Sequence, residues 1–327
     1  GRVTALNSDG FTVDSATSDH SLVNDNGDSY VAWCWKAGGT AVSNTDGSVT
    51  SSVSANAQYG FSIVTYSATG SNLTVGHGLG KKPGLILLKT RNGTGDWLAM
   101  HEDIGVDHFL KLNLTQAKAG PYSNVFTSVT ESVFGTGNDS GINSSGQNKV
   151  AYCFADVPGY QRIGSYTGSG ASGKEVVLGF KPRFLMIKSK TNATGWWMWD
   201  TERGNSKFLL ADSSGGGNAN DALIGNYPIN ATANGFTIDN TADLNQSGVG
   251  YIYLAIGDDE IGSDEDCLVD VPNAVTADAD ATDTTGGYQR GNYCTLNPLL
   301  DRYNIGSSGT KTFSEGNLKI VATTGDS

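Results

Sequence analysis

An internal repeat constrains this chain more than any other feature of its sequence. Four landmark residues recur at a nearly constant spacing: Tyr66 as Tyr166, Pro83 as Pro182, Lys89 as Lys188, and Trp97 as Trp196. The offset is 100 residues for the first pair and 99 for the other three. A spacing this steady predicts that one structural unit occurs twice along the chain.

Each copy consists of short apolar runs separated by polar turn signals such as NGTG and SSGQ. No stretch combines a sustained 3.6-residue period with helix caps. Short strands in units of this length predict an all-β protein built from tandem β-sandwiches. Within them, the runs LILLK (85–89) and FLMIK (184–188) are expected to form central strands that are covered on both faces.

These patterns divide the chain into six predicted segments. They are the C-terminal part of a preceding β repeat (1–37), a linker or extended arm (38–58), two complete β-sandwich repeats (59–159 and 160–262), an acidic linker (263–287) and the start of a further β domain (288–327). The first assignment rests on three similar runs, YVAWCW, KVAYCF and YIYLAI, which would close three successive copies. We therefore expect residues 1–37 to be covered by parts of the polypeptide outside these 327 residues or by a second copy, since unpaired strand edges favour pairing.

Charge and composition exclude several classes of partner. The 327 residues include 21 basic and 33 acidic side chains, which gives a net charge of −12. Nucleic-acid binding needs clusters of Lys and Arg on phosphates, so we expect no such partner. No apolar run is long enough to cross a bilayer, so we expect no membrane insertion.

The four cysteines, Cys34, Cys153, Cys267 and Cys294, include no CxxC pair, which argues against zinc and thioredoxin-like chemistry. Cys34 and Cys153 occupy equivalent positions, where the third copy has Ala255. A small buried residue suits all three positions, whereas a disulfide between equivalent core positions does not. Both thiols are therefore predicted to be reduced and buried.

A cluster of tryptophans gives the candidate ligand-binding residues, Trp197 and Trp199. On a strand these two rings share one face, and Trp196 and Met198 share the other. Exposed indole rings stack on sugars, so a glycan platform is one interpretation. The alternative is that the rings fill a core.

Ten carboxylates lie between residues 258 and 283 without an intervening Lys or Arg. A solvated, self-repelling linker is one interpretation. The other is calcium binding by Asp278, Asp280 and Asp283, because carboxylate oxygens are hard ligands. The spacing lacks the glycine and the final glutamate of an EF-hand loop, so no cofactor is expected and calcium is the alternative.

Catalytic patterns are weak. The four histidines are scattered, and His101 aligns with Asp200 of the second copy. Asp200 and Glu202 are two residues apart, and paired carboxylates can hydrolyse glycosides when they flank the sugar. Such pairs are also common by chance, so we predict no enzymatic activity and no catalytic residue.

Five segments carry a resemblance to a known group of proteins. They are DSYVAWCWKAGG, VGHGLGKKPGLILLK, VAYCFADVPGY, GFKPRFLMIK and RGNYCTLNPL. They resemble segments of large repetitive structural proteins of tailed bacteriophages, especially marine ones, which are described as tail-fibre-like or virion structural proteins. The resemblance covers nearly the whole chain apart from residues 38–58 and the acidic stretch. In that group, the RGNYCTLNP-type segment leads into a concanavalin-like (SPRY-type) sandwich.

The resemblance implies a non-enzymatic segment of a phage tail fibre or virion appendage that takes part in host-surface attachment. It implies a location on the virion surface, contact with other virion proteins and with a host glycan or protein, and a homo-oligomer, with a trimer as the default. Two alternatives remain open. One is a glycan-binding or glycan-cleaving β-sandwich module, and the other is a secreted self-assembling filament subunit or adhesin.

Overall fold

The structure of the chain is a computed structural model. It describes residues 2–7, 10–14, 23–24, 26, 30–205, 207–212 and 229–257, together with the backbone of 311–314 and 319–322. The described part is almost entirely β-structure, so the predicted all-β class is confirmed. The predicted acidic linker at 263–287 lies outside the described residues, as does most of the predicted domain at 288–327.

The first twelve strands comprise an N-terminal hairpin and a first sandwich. They are β1 (Val3–Leu6), β2 (Phe11–Val13), β3 (Val42–Asn44), β4 (Ser51–Asn56), β5 (Phe61–Ser67), β6 (Leu73–Gly76), β7 (Leu85–Thr90), β8 (Leu98–His101), β9 (Leu110–Lys111), β10 (Phe126–Val129), β11 (Val133–Thr136) and β12 (Asn148–Phe154). A 3-10 turn covers Glu102–Ile104, and a single-turn helix α1 covers Ser140–Asn143. The larger sheet has the order β3-β4-β5-β12-β7-β8-β9, and the smaller sheet has the order β10-β11-β6.

A second sandwich follows directly. Its strands are β13 (Gln161–Thr167), β14 (Lys174–Val177), β15 (Pro182–Ser189), β16 (Trp197–Asp200), β17 (Leu209–Leu210), β18 (Ile229–Thr232), β19 (Gly235–Ile238) and β20 (Gly250–Gly257). The larger sheet has the order β13-β20-β15-β16-β17, and the smaller has β14-β19-β18. A last hairpin pairs β21 (Lys311–Ser314) with β22 (Lys319–Ala322).

The eight strands of the second sandwich have the same sheet order as β5 to β12 of the first. A buried asparagine also recurs beside the loop after the first strand of each set. Asn143 accepts a hydrogen bond from Thr69 N (3.1 Å), and Asn245 accepts one from Ser169 N (2.7 Å). Each amide also donates to two carbonyls, as buried amide groups require.

The two larger sheets pack against each other, which gives four layers and three cores. Alternation along a strand sends successive side chains into different cores. In β15, Leu185 and Ile187 lie in the second sandwich, whereas Phe184 and Met186 lie between the sandwiches. The run LILLK divides in the same way, so the expectation that these strands are covered on both faces is confirmed.

The prediction of a linker or arm at 38–58 is wrong. These residues contribute β3 and β4, and β4 pairs with β5 over five residue pairs, from Ser52 with Thr65 to Asn56 with Phe61. The segment lacks large apolar residues because small side chains face the core here, with Ser51 and Val53 both buried. Small core residues leave little hydrophobic signal in a sequence.

The predicted apolar strand at Tyr30–Trp35 is also corrected. Residues 31–37, called the strap below, pair with no strand among the described residues and lie across the junction of the two sandwiches. Trp33 and Trp35 are half-buried against Phe184 of the same chain, with ring centroids 5.4 and 5.7 Å apart. This part of residues 1–37 is therefore covered by the chain's own sandwiches, so the expectation that residues outside the chain or a second copy would cover it is wrong here. The assignment of 1–37 to a preceding repeat stays a prediction.

The junction between the sandwiches gives a first test at Trp196 and Trp97, which lie 99 residues apart in the sequence. Trp196 is 2% exposed, and its Nε1 donates to the carbonyl of Lys111 at 2.8 Å. Trp97 is only half-buried. Trp196→Ala should lower the free energy of unfolding by about 3–5 kcal/mol, the usual cost of deleting a buried Trp side chain. Trp97→Ala should cost on the order of 1–2 kcal/mol, because less apolar area is lost.

Guanidinium unfolding followed by circular dichroism measures both losses on the same scale. Equal losses for the two variants would contradict the placement of Trp196 between the sandwiches.

Candidate binding sites

The predicted glycan platform at Trp197 and Trp199 is not available in the folded chain. The two side chains are 8% and 1% exposed and belong to the core of the second sandwich. Trp197 packs edge-on against Phe208, with ring centroids 5.3 Å apart. β16 lies inside the larger sheet, and both of its faces are covered, so the core interpretation is the one that the structure supports.

The predicted calcium ligands Asp278, Asp280 and Asp283 lie outside the described residues. Within the described ranges, no group of three or more His, Cys, Asp or Glu side chains is arranged to hold a metal ion. The same ranges contain no helix with the length and hydrophobicity of a membrane span.

His101 links the two sandwiches and is buried. Its Nδ1 accepts a hydrogen bond from Asp103 N at 3.2 Å, so its Nε2 carries the hydrogen and faces the Tyr253 carbonyl at 3.4 Å. Burial lowers the pKa of the imidazole to about 4, and the nearby Asp103 charge only partly opposes this. His101 is therefore neutral at pH 7 and serves as a fixed donor across the junction.

Lys188 makes a second link. Its buried Nζ donates to the carbonyls of Thr194 (2.7 Å), Thr115 (3.0 Å) and Asn192 (3.4 Å), and Thr115 belongs to the first sandwich. Burial lowers the pKa of this amine to about 8, which still leaves it mostly protonated at pH 7. Three carbonyl oxygens thus compensate the buried charge, as buried ions require.

The strap is held at both ends. Trp33 Nε1 donates to Asp200 Oδ2 at 3.2 Å, and Arg203 Nε donates to the same oxygen at 2.6 Å. The Arg203 guanidinium also lies 5.4 Å from the centre of the Trp33 ring, within cation–π range. At the other end, the Lys36 carbonyl accepts from the Asn56 amide at 3.3 Å. Asp200 therefore has a structural role, and its alignment with His101 does not extend to shared chemistry.

Successive side chains of the strap point alternately towards the protein and towards solvent, and this shows that the predicted burial of Cys34 is wrong. Trp33 and Trp35 point towards the protein, so Cys34 between them is exposed. Cys153 on β12 is fully buried, and this burial raises the pKa of its thiol to about 12. Both thiols are free, as expected, but only Cys153 is buried.

An apolar cleft of about 450 Å³ lies between the two larger sheets, with the strap as one wall. Phe61, Leu87 and Tyr152 line it from the first sandwich, and Met186 and Met198 line it from the second. The sequence did not indicate this cleft, because its lining residues are spread over both units. Only the Trp33 and Trp35 pair gave a signal, as an apolar surface in need of cover.

A polar pocket of about 450 Å³ opens on the first sandwich. Its wall includes an ion pair between Asp96 and Lys111 at 2.8 Å, and hydrogen bonding to Lys111 lowers the pKa of Asp96. Asp139 lies on the same wall. The exposed ring of Tyr122 stacks on Phe109, with centroids 5.8 Å apart. Aromatic faces beside carboxylates are the groups that sugars use, so this pocket, rather than the Trp cluster, is the candidate glycan site.

Comparison with models of protein families identifies a family for most of the chain. A family model described as a domain of unknown function (DUF7483) matches residues 1–259, which include the N-terminal hairpin, the strap and both sandwiches. No curated protein and no solved structure matches the chain.

The buried His101 predicts a loss of stability in mild acid. Its folded pKa of about 4 lies below the unfolded value of 6.5. The contribution of His101 to stability is therefore fully present above pH 6.5 and is lost as the pH drops from 6.5 to 4, because the unfolded chain binds a proton that the folded chain excludes. A shift of this size corresponds to about 3 kcal/mol.

His101→Gln should flatten the dependence of unfolding free energy on pH between 6.5 and 4, measured by denaturant unfolding at several pH values. Part of the slope should remain, since burial also lowers the pKa of His77. An unchanged slope in the variant would show that His101 is not buried and neutral.

The two described thiols should differ sharply in reactivity. Iodoacetamide should label Cys34 in the native protein, and it should label Cys153 only after denaturation, because this thiol is both buried and protonated. Peptide mapping by mass spectrometry separates them from Cys267 and Cys294. Labelling of Cys34 and Cys153 at similar native rates would refute the packing of β12.

Proposed function

We propose a structural role for this chain, which belongs to the DUF7483 family of domains of unknown function. In this proposal it is a non-enzymatic segment of a phage tail fibre or virion appendage that takes part in host-surface attachment. The chain would lie on the virion surface and contact other virion proteins. The proposal starts from the resemblance of segments such as VGHGLGKKPGLILLK, which runs from the end of β6 through most of β7.

One observation carries the proposal: buried polar side chains connect the two sandwiches into one body. His101, Lys188 and Trp196 each bond to a backbone carbonyl of the other sandwich. His101 and Lys188 could transfer protons in an enzyme, but here they donate hydrogen bonds to main-chain carbonyls. Rigid connection of successive sandwiches is what an appendage under mechanical force needs.

Exposed apolar residues at the N-terminus support a homo-oligomer, with a trimer as the default. Val3, Leu6 and Phe11 of the β1–β2 hairpin are exposed, as is Val42 on the edge strand β3. Exposed apolar side chains and unpaired strand edges favour contact with another chain. A second copy or a neighbouring virion protein would cover them.

A second candidate function is glycan binding at the polar pocket. The specific observation is the exposed Tyr122 ring beside the carboxylates of Asp96 and Asp139. This function is compatible with the first, because a fibre that attaches to a host needs a recognition surface. A secreted filament subunit or adhesin would share the same fold.

Electron microscopy with antibodies against this chain tests the structural role. Gold label should decorate appendages of purified particles, at fixed positions along the fibre. Label on cell-derived filaments, with none on particles, would favour the secreted filament or adhesin. Recovery of the chain only in the soluble fraction of lysed cells would exclude both.

A glycan array followed by calorimetry tests the second function. Tyr122→Ala should weaken binding of any glycan found by about fivefold or more, because stacking contributes on the order of 1 kcal/mol. Tyr30→Ala is the matched control, since Tyr30 is a similarly exposed tyrosine outside the pocket. The pocket would lose its assigned role if both variants bound as the unmodified chain does.

A further inference from the structure

The apolar cleft between the sandwiches has the enclosure of a small-molecule site. Its walls come from both larger sheets and from the strap, so it surrounds an occupant on three sides. It is also continuous with the apolar packing between the sheets, since Phe61, Leu87 and Met186 belong to both. A slot of this kind suits a small molecule better than the flat surface of a second protein copy.

The charge pattern restricts the ligand class. None of the described residues that line the cleft is charged. Two cationic side chains lie against its rings, and both are already bonded. Arg203, over Trp33, is paired with Asp200, and Lys89, 6.0 Å from the Trp97 ring centre, donates to the Gly95 carbonyl. A charged ligand would lose its hydration in the cleft without gaining a partner.

The volume and the lining residues of the cleft together indicate the shape of the ligand that fits it. An apolar cavity of about 150 Å³ is known to hold benzene, and ligand sites commonly measure roughly 300–1,000 Å³. The cleft, at about 450 Å³, falls within that range. Aromatic rings of Trp33, Trp97 and Tyr152 dominate its walls, and such rings favour flat apolar partners.

We propose that the cleft binds an uncharged apolar small molecule with a flat ring system, held between the two larger sheets and beneath the strap. This site is independent of the proposed structural role and of the polar pocket. The strap forms its outer wall through Trp33 and Trp35, so a bound ligand stabilises the contact between the strap and the sandwiches.

Two fluorescent probes with one framework test the proposal on the full chain. N-phenyl-1-naphthylamine is neutral, and 8-anilinonaphthalene-1-sulfonate carries a sulfonate on the same aromatic system. The neutral probe should bind saturably, at one molecule per chain, and the sulfonate should bind at least tenfold more weakly. Equal binding of the two probes, or an absence of saturable binding, would overturn the proposal.

A filling variant locates the probe. Ala211 lines the cleft, and Ala211→Phe places a ring inside it. Val177→Phe adds the same ring at an exposed position on β14. Ala211→Phe should weaken binding of the neutral probe at least tenfold, whereas Val177→Phe should leave it unchanged.

Thermal unfolding and light scattering distinguish a filled cleft from a misfolded chain and from a dimer. The unfolding temperature of Ala211→Phe should match or exceed that of the unmodified chain, since filling a cavity does not unfold it. As a second variant, Met198→Phe narrows the cleft from β16 of the same sheet and should also weaken binding. Unaltered binding in both variants would place the probe elsewhere and refute the proposal. A dimer in light scattering that dissociates in Ala211→Phe would show that a second copy occupies the cleft, which also refutes it.

Discussion

Face-to-face packing of the two larger sheets is the interaction on which this structure depends. Strands β12 and β20 each contribute to two cores at once, because successive side chains along a strand point into different cores. Tyr253 and Ala255 fill the second sandwich, whereas Leu254 and Ile256 pack between the sandwiches. A sandwich that stood alone would need polar side chains on that outer face. The continuous apolar runs of this sequence are therefore the direct result of a buried junction.

The buried junction between the two larger sheets also explains why Gln161, His101 and Lys188 are buried there despite their polar side chains. Backbone carbonyls of one unit lie against the other unit at this junction, and a buried carbonyl that lacks a donor is costly. Gln161 satisfies two of them, at Gly60 (3.0 Å) and Ala155 (2.7 Å). His101 and Lys188 do the same further along. Their lowered pKa values follow from this structural role, so a shifted pKa here is not evidence of catalysis.

The sequence predicted the features that depend on side-chain periodicity, and it did not predict the features that tertiary contacts determine. Alternating and continuous apolar runs predicted the strands and the all-β class, because side-chain spacing is a local property. β4 was missed, since its buried Ser51 and Ser54 carry no hydrophobic signal. Cys34 was assigned to a core by alignment with Cys153, yet the strap pairs with no described strand and turns that side chain outwards. Neither candidate pocket was predicted, because each is assembled from residues far apart in the chain.

Matching positions of the two units differ most where the units meet. His101 of the first aligns with Asp200 of the second, and each has become specific to its own neighbour: His101 to the Tyr253 carbonyl, and Asp200 to the strap through Trp33. Trp97 and Trp196 differ in the same way, since only the latter inserts into the other unit. Two identical sandwiches that met through the same face would form a closed, symmetric pair in which every contact occurs twice. Divergence at these positions instead fixes a single arrangement, in which the second sandwich meets the first and the strap closes the pair.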